Sequence, residues 1–428
     1  MTDPVSAAEP AGRLTVAQGT ALYVGAVLGT GIIVLPAIAA DVAGPASLLA
    51  WLGLALLSAP LAVTFAALGA RYPDAGGVAT YARLAFGDQA AAVVGWCFYL
   101  SIPFGAPAAA LWAGAYVAEA IGGGATTTAV TAVALMIVVP ATNWFGVQLT
   151  GRIQLALGGL LVAFLLTAIA LSLPEARLDN LHPFAPHGWH AIGPAAALLV
   201  WSFVGWEAVT YLTAEFRHPQ RDLPRATAAA VIVVGVLYVS VAFATIAVLG
   251  PAAADAEAPL GDLLATGLGG NARVLAAAAA VLLTTGAMNA YYAGAAKLGA
   301  ALGRDGALPG WLSRGSLAGE VPRRSLGALG ALALTALGVV VWKGVGSRPL
   351  VLLTTGLFVA VYAVAVAAAV RLLPRGTKSR AAALVSLLAS VVLLVMSGVY
   401  LIWPLVVATS ALLYLRLTRR TRARRGSV

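Results

Sequence analysis

Runs of about twenty apolar residues recur from one end of this chain to the other, and no other feature constrains its fold as strongly. A helix needs about 20 such residues to cross a bilayer. Windows of that length fall at roughly 15–40, 46–69, 91–118, 126–145, 153–173, 191–212, 226–249, 273–301, 325–342, 349–370, 381–398 and 400–417. Apolar residues are 61% of the chain, charged residues 10%, and the mean hydropathy is +0.92. The connections are too short for a separate soluble domain. The expectation is an all-α polytopic membrane protein with 12 transmembrane helices bundled in lipid.

The formal net charge of +10 has a lopsided distribution. With the N-terminus in the cytoplasm, 21 of the 26 lysines and arginines fall on the cytoplasmic side. Arg177, Arg273, Lys343 and Arg348 fall outside, and Lys297 lies within a helix, within snorkelling reach of the surface. That division obeys the positive-inside rule and returns the C-terminus to the cytoplasm. It accounts for the charge without nucleic acid, and it leaves a basic tail, 418–428, expected to lie on anionic lipid head groups. The 23 arginines against three lysines match the usage of a GC-rich bacterial genome, so a bacterial cell membrane is the expected location. Cys97 is the one cysteine, which excludes an internal disulfide. His182, His187, His190 and His218 sit in loops without metal-ligand spacing, and no Gly-x-x-x-x-Gly-Lys phosphate loop is present. No metal, cofactor, ATP site or nucleophile motif is therefore expected.

The first window carries Gly29-Thr30-Gly31 at its middle. Each glycine forfeits roughly 1 kcal/mol of helix propensity against alanine. A backbone group freed in hydrocarbon without a partner costs several kcal/mol more. Such a break either meets a ligand, as in the discontinuous helices of secondary transporters, or belongs to a close helix contact through Gly25 and Gly29. An inverted repeat predicts a matching break five spans later. Helix 6 supplies one, Trp201-Ser-Phe-Val-Gly-Trp-Glu207, with Ser202 and Gly205 at mid-span. The division implied is a tail (1–14), two repeats (15–173 and 191–370), two appended helices (381–417) and the basic tail (418–428). Glu207 is the one acid well inside a span, where a carboxylate costs about 2.5–3.5 kcal/mol. It reads as a proton-responsive gate group or as a packing carboxyl bonded to a neighbour. Trp201, Phe203 and Trp206 read as a lid over a small ligand or as packing aromatics.

Four stretches resemble the amino acid–polyamine–organocation transporters, and the resemblance covers residues 14–417. They are Gly25–Pro36, Arg71–Tyr81 with Ala85-Phe-Gly87, Trp201–Glu207 running on to Glu215–Arg225, and Lys297 through Gly303-Arg-Asp-Gly306 to Pro309. Within that superfamily the segments near 75–79, 203–208 and 221–226 are similar to bacterial exporters of methionine and branched-chain amino acids. The Trp201–Glu207 pattern also resembles arginine–agmatine exchangers. The resemblance implies a five-plus-five inverted-repeat (LeuT-like) fold with helices 1 and 6 broken. It makes Trp201 the aromatic over the substrate and Glu207 a pH-responsive carboxylate. In one departure, 153–173 lacks the lysine that some proton-coupled relatives carry there, Leu161 or a neighbour standing in that region.

An α-amino acid in a dry site needs partners for both its charges. Amides of Gly31 to Ile33, with the Thr30 hydroxyl, suit the carboxylate. Carbonyls of Ala26, Val27 and Leu199 to Trp201 suit the ammonium. The candidate substrate-binding set is Ala26, Val27, Gly29, Thr30, Gly31, Ile32, Phe98, Ile102, Trp201, Phe203, Gly205 and Met288, with Trp201 and Glu207 as gating residues. No second buried acid is available for a cationic side chain, so methionine, leucine, isoleucine or valine is expected. The function expected is secondary active export or exchange of neutral amino acids by alternating access. The alternatives are proton-coupled uptake, antiport of a cationic amino acid or amine, and, more remotely, a membrane sensor or membrane-embedded enzyme. The partners expected are the amino acid and the bilayer, with a homodimer as the assembly to test.

Overall fold

The computed structural model describes residues 15–72, 77–146, 151–208, 216, 219–316 and 320–425. Its first half contains α1 (Val16–Val27), α2 (Leu35–Ala43), α3 (Ser47–Arg71), α4 (Val78–Phe86), α5 (Asp88–Ile121), α6 (Gly124–Trp144) and α7 (Gly151–Ser172). After an irregular loop come α8 (Ile192–Leu199), α9 (Pro219–Leu249), α10 (Pro259–Leu268) and α11 (Ala272–Arg304). The chain continues through α12 (Arg323–Lys343), α13 (Arg348–Leu372), α14 (Lys378–Met396) and α15 (Ile402–Arg425). The expected tail 1–14 and the end of the expected sixth window, 209–212, lie outside the described residues.

Among the described residues, ten helical stretches are long and apolar enough to cross a bilayer, Leu35–Arg71 counting as one. Two shorter apolar pieces, Val16–Val27 and Trp189–Phe203, cannot span alone. They are the segments that run up to the two breaks. The first starts at a capping box, in which the Gln18 amide donates to Thr15 Oγ1 at 3.3 Å and the Thr15 amide to Gln18 Oε1 at 3.1 Å.

The outer surface is apolar as lipid requires, with Leu56, Ile137, Leu388 and Val395 all exposed. At the centre runs α5, 34 residues long, packed against α6, α11, α12, α13 and α15. Pro103 and Pro107 lie inside it. Each lacks the amide that would bond the carbonyl four residues back, so this stretch of α5 is locally loosened. Small residues let its neighbours come close. A Cβ on Gly114 would lie 2.3 Å from the Thr128 carbonyl oxygen of α6. The same helix supplies one wall of the central cavity.

Candidate functional site

Both predicted breaks are present. At the first, α1 ends at Val27, Leu28 leaves the helical region with ψ 83, and Gly29 is extended. Thr30–Ile33 then forms a single tight turn before α2, with Pro36 in the first turn of α2. The leading amides of that turn, Thr30 and Gly31, stand ahead of its hydrogen-bonded ring and have no partner within it. At the second, α8 passes into a tight turn, Val200–Phe203, then extended Val204, then Gly205 at φ 120, then the turn Trp206–Ala208.

The two breaks touch. A Cβ on Gly205 would lie 2.6 Å from the Ala26 carbonyl oxygen and 3.2 Å from Val27 Cα. That backbone-on-backbone contact, with a φ that L side chains rarely adopt, explains the glycine at 205. On the other side, a Cβ on Gly31 would lie 2.4 Å from Trp201 Cδ1 and 2.8 Å from Leu35 Cδ1. The structure thereby separates the two glycines of the first break. A Cβ on Gly29 would meet only the Val27 carbonyl oxygen, at 3.9 Å.

Three tyrosines from distant helices satisfy what the breaks leave open. The Tyr238 hydroxyl of α9 lies 2.9 Å from the Val27 carbonyl oxygen and 2.7 Å from that of Ser202, so one phenol proton is shared across both breaks. Tyr116 of α5 donates to the Ile33 carbonyl at 2.5 Å and accepts from the Leu260 amide of α10 at 3.2 Å. Tyr362 of α13 donates to the Glu207 carboxylate, and the Gly205 amide donates to both groups, at 3.0 Å to Tyr362 and 3.1 Å to Glu207. Glu207 therefore closes the second break rather than standing alone, and its partner is a side chain 155 positions away.

A cavity of about 40 Å³, room for about three water molecules, lies beside the breaks. Thr30, Ile102, Trp201 and Met288 line it, as do Ser101, Gly105, Ala106, Ala109, Val204, Ala287, Tyr291, Thr354 and Phe358. None of these side chains carries a formal charge. The Ser101 hydroxyl is turned back to the Phe98 carbonyl at 2.7 Å, and that of Thr354 to the Leu350 carbonyl at 2.9 Å. The half-buried Trp201 closes one side. Its ring lies against Gly31, approaches Gly105 and stands edge-on to Trp112, centroids 5.1 Å apart at 73°. Trp112 is itself tied by its indole N–H to Ser347 Oγ at 3.0 Å.

Two expected residues fall elsewhere. Phe203 is not a cavity wall but packs between Trp51 and Tyr238, at 5.9 and 5.1 Å. The reason is the local geometry. In a tight turn of three residues per rotation, positions 201 and 204 share a face and 203 does not, so Val204 takes the place expected for Phe203. Phe98 stands one turn before Ile102, off the cavity lining, with its ring edge-on to that of the lining residue Phe358 at 5.8 Å. Ile32 is buried, and Ala26, Val27, Gly29 and Gly205 form the backbone of the breaks themselves. The Val27 carbonyl, expected to be open to an ammonium, already accepts from the Gly29 amide at 2.7 Å and from Tyr238.

The chain belongs to the amino acid permease family, whose family model matches residues 14–427. It is 34% identical over 409 residues to YecA of Bacillus subtilis, described as an uncharacterized amino acid permease, covering 94% of this chain and 95% of that one. It is 37% identical over 228 residues to the L-methionine/branched-chain amino acid exporter YjeH of Escherichia coli, covering 53% and 54%. It is 29% identical over 315 residues to the branched-chain amino acid permease BcaP of Bacillus subtilis, covering 69% and 68%. These relatives are permeases and transporters, not enzymes, and the chain is a multi-pass membrane protein.

The contrast between the two glycines is testable. Gly31→Ala forces Trp201 or Leu35 to move, whereas Gly29→Ala meets open space. Overpacking of this kind costs about 1–3 kcal/mol. Gly31→Ala should weaken amino acid binding by about tenfold or more and Gly29→Ala by much less, measured by scintillation proximity on purified protein.

Proposed function

We propose that this protein is a secondary active transporter for neutral, apolar L-amino acids, exporting or exchanging them by alternating access around the cavity between the two breaks. The observation that carries this reading is a cavity without a charged side chain, set against two unwound backbones. Thr30 and Gly31 amides, at the positive end of the turn, receive the substrate carboxylate. The ammonium takes carbonyls at the end of α8, Leu199 and Val200, because those of Val27 and Trp201 already accept from the Gly29 and Val204 amides. The side chain lies among Ile102, Ala106, Ala109, Met288 and Phe358. A cationic side chain would find no acid there, since Glu207 is committed to Gly205 and Tyr362 and is not a wall. Similarity to a methionine and branched-chain exporter over half the chain supports the same substrate class.

In this reading the broken segments complete 12 spans arranged as two inverted five-helix repeats with α14 and α15 appended, both termini cytoplasmic. The cavity is too small for the substrate as it stands, so one wall must move. Trp201 is that wall. A planar ring swings on two torsions with little entropy lost. Glu207 is the latch on the second break. Protonation removes a charge that the Gly205 amide and the Tyr362 hydroxyl both address, which loosens the tie between helix 6 and α13.

Counterflow of radiolabelled leucine in proteoliposomes, competed by each of the twenty amino acids, tests the substrate class. Methionine, leucine, isoleucine and valine should compete, and arginine, lysine and agmatine should not; strong competition by arginine would contradict the reading. Repeating the assay across a pH series, with equal pH on both sides, tests the latch. Glu207→Gln should transport with a flattened pH profile, and a wild-type profile in that variant would make Glu207 a packing residue.

A further inference from the structure

A second, larger hollow lies away from the breaks, on the outer face between α3 and α9. It measures about 360 Å³ and is lined by Ala59, Val63, Ala66, Ala67 and Ala70 of α3 and by Leu223, Pro224, Thr227, Ala228, Val231 and Ile232 of α9. It is open to the outside of the bundle, since Ala59, Val63, Ala70, Ala228 and Ile232 are all exposed. Alanine, where lipid-facing helices usually carry leucine or valine, makes the α3 side a trough. In a bilayer an open apolar trough is filled by an acyl chain.

One end of this trough is basic, and helix geometry places the charges on it. Residues four and seven apart share a helix face. On α9, Arg221 and Arg225 continue the stripe of Ala228 and Ile232. On α3, Arg71 continues the line of Ala59, Val63 and Ala67. Ala70 and Leu223 line the same hollow, so the two helix ends that bear these arginines meet at one rim. All three arginines are exposed, and among the described residues none of them pairs with a carboxylate. Arg71 leans on Tyr72, its Nε–H 3.4 Å from the Tyr72 hydroxyl oxygen. Asp222 is 100° round the helix from Arg221.

We propose that the α3–α9 groove is a binding site for an anionic phospholipid, its acyl chain along the alanine trough and its phosphate among Arg71, Arg221 and Arg225. The occupant is identified by both halves of the site. A soluble anion has no use for the trough, and a zwitterionic lipid sets its own ammonium against three guanidiniums. Each arginine near a membrane surface favours an anionic lipid about fivefold. Because α9 packs on α1 and α3 packs on the turns of the second break, an occupied groove also braces the segments that carry the breaks.

Native mass spectrometry of the full-length protein in detergent, with phosphatidylglycerol and phosphatidylcholine of identical acyl chains, tests the site. The wild type should retain phosphatidylglycerol over phosphatidylcholine. The double variant Arg221→Gln/Arg225→Gln should lower that preference about 25-fold, and Ala228→Phe should lower phosphatidylglycerol retention with every arginine in place. Both changes fall on exposed positions, and thermal melts of the variants should match the wild type. Equal retention of the two lipids by the wild type, an unchanged preference in the double variant, or full retention in Ala228→Phe would each overturn the proposal. A loss seen only on neutralising the tail arginines, Arg416 to Arg425, would move lipid binding to the tail and overturn it as well.

Discussion

Backbone amides and carbonyls released in the middle of a bilayer have no water to bond, and everything distinctive in this structure follows from how that need is met. The apolar chain breaks after Val27 and again after Leu199, and each break frees polar groups whose isolation in hydrocarbon would cost several kcal/mol apiece. Tyr238, Tyr116 and the Tyr362–Glu207 pair answer most of them from α9, α5 and α13. The amides of Thr30 and Gly31 stand ahead of their turn and have no partner within it. In the proposed function, the carboxylate of a zwitterionic substrate is what meets them.

The same ties make the two breaks one unit. Gly205 lies against Ala26 and Val27, Trp201 lies against Gly31, and one Tyr238 hydroxyl reaches carbonyls of both. Direct contact and one phenol hydroxyl thus tie the first break to the second. Tyr116 extends the chain of contacts to α10, because its oxygen holds Ile33 on one side and Leu260 on the other. The helices outside this set, α14 and α15 among them, present apolar surface to lipid and frame the unit.

Much of this was legible from residue types alone. Gly29-Thr30-Gly31 inside an apolar window points either to a break or to a close helix contact, and the chain does leave the helix there. Gly205 beside Ser202 marks the second. Thr30, Ile102, Trp201 and Met288, chosen from position and chemistry, do line one cavity. Phe203 packs between Trp51 and Tyr238 and Val204 lines the cavity instead, a difference that residue type alone does not show, since Trp201, Phe203 and Trp206 are all aromatics at the same break. The tyrosines were not legible. Tyr238 lies 211 positions from Val27 and Tyr362 lies 157 from Gly205, and one tyrosine in an apolar span looks like any other until the bundle closes. Span counting was blurred for a related reason, since a broken helix yields pieces too short to span singly.

The central claim is that the amino acid sits in the cavity between the breaks, and thiol protection tests it most directly. Cys97 is buried and is the one cysteine, so Cys97→Ala gives a background free of thiols. Ala109→Cys then places a reactive group on the cavity wall, and Leu388→Cys places one on the lipid face. Maleimide labelling in proteoliposomes should be slowed at position 109 by the amino acids that support counterflow, in proportion to their occupancy, and left unchanged at position 388. Labelling at 109 that proceeds at the same rate with saturating substrate would contradict the account.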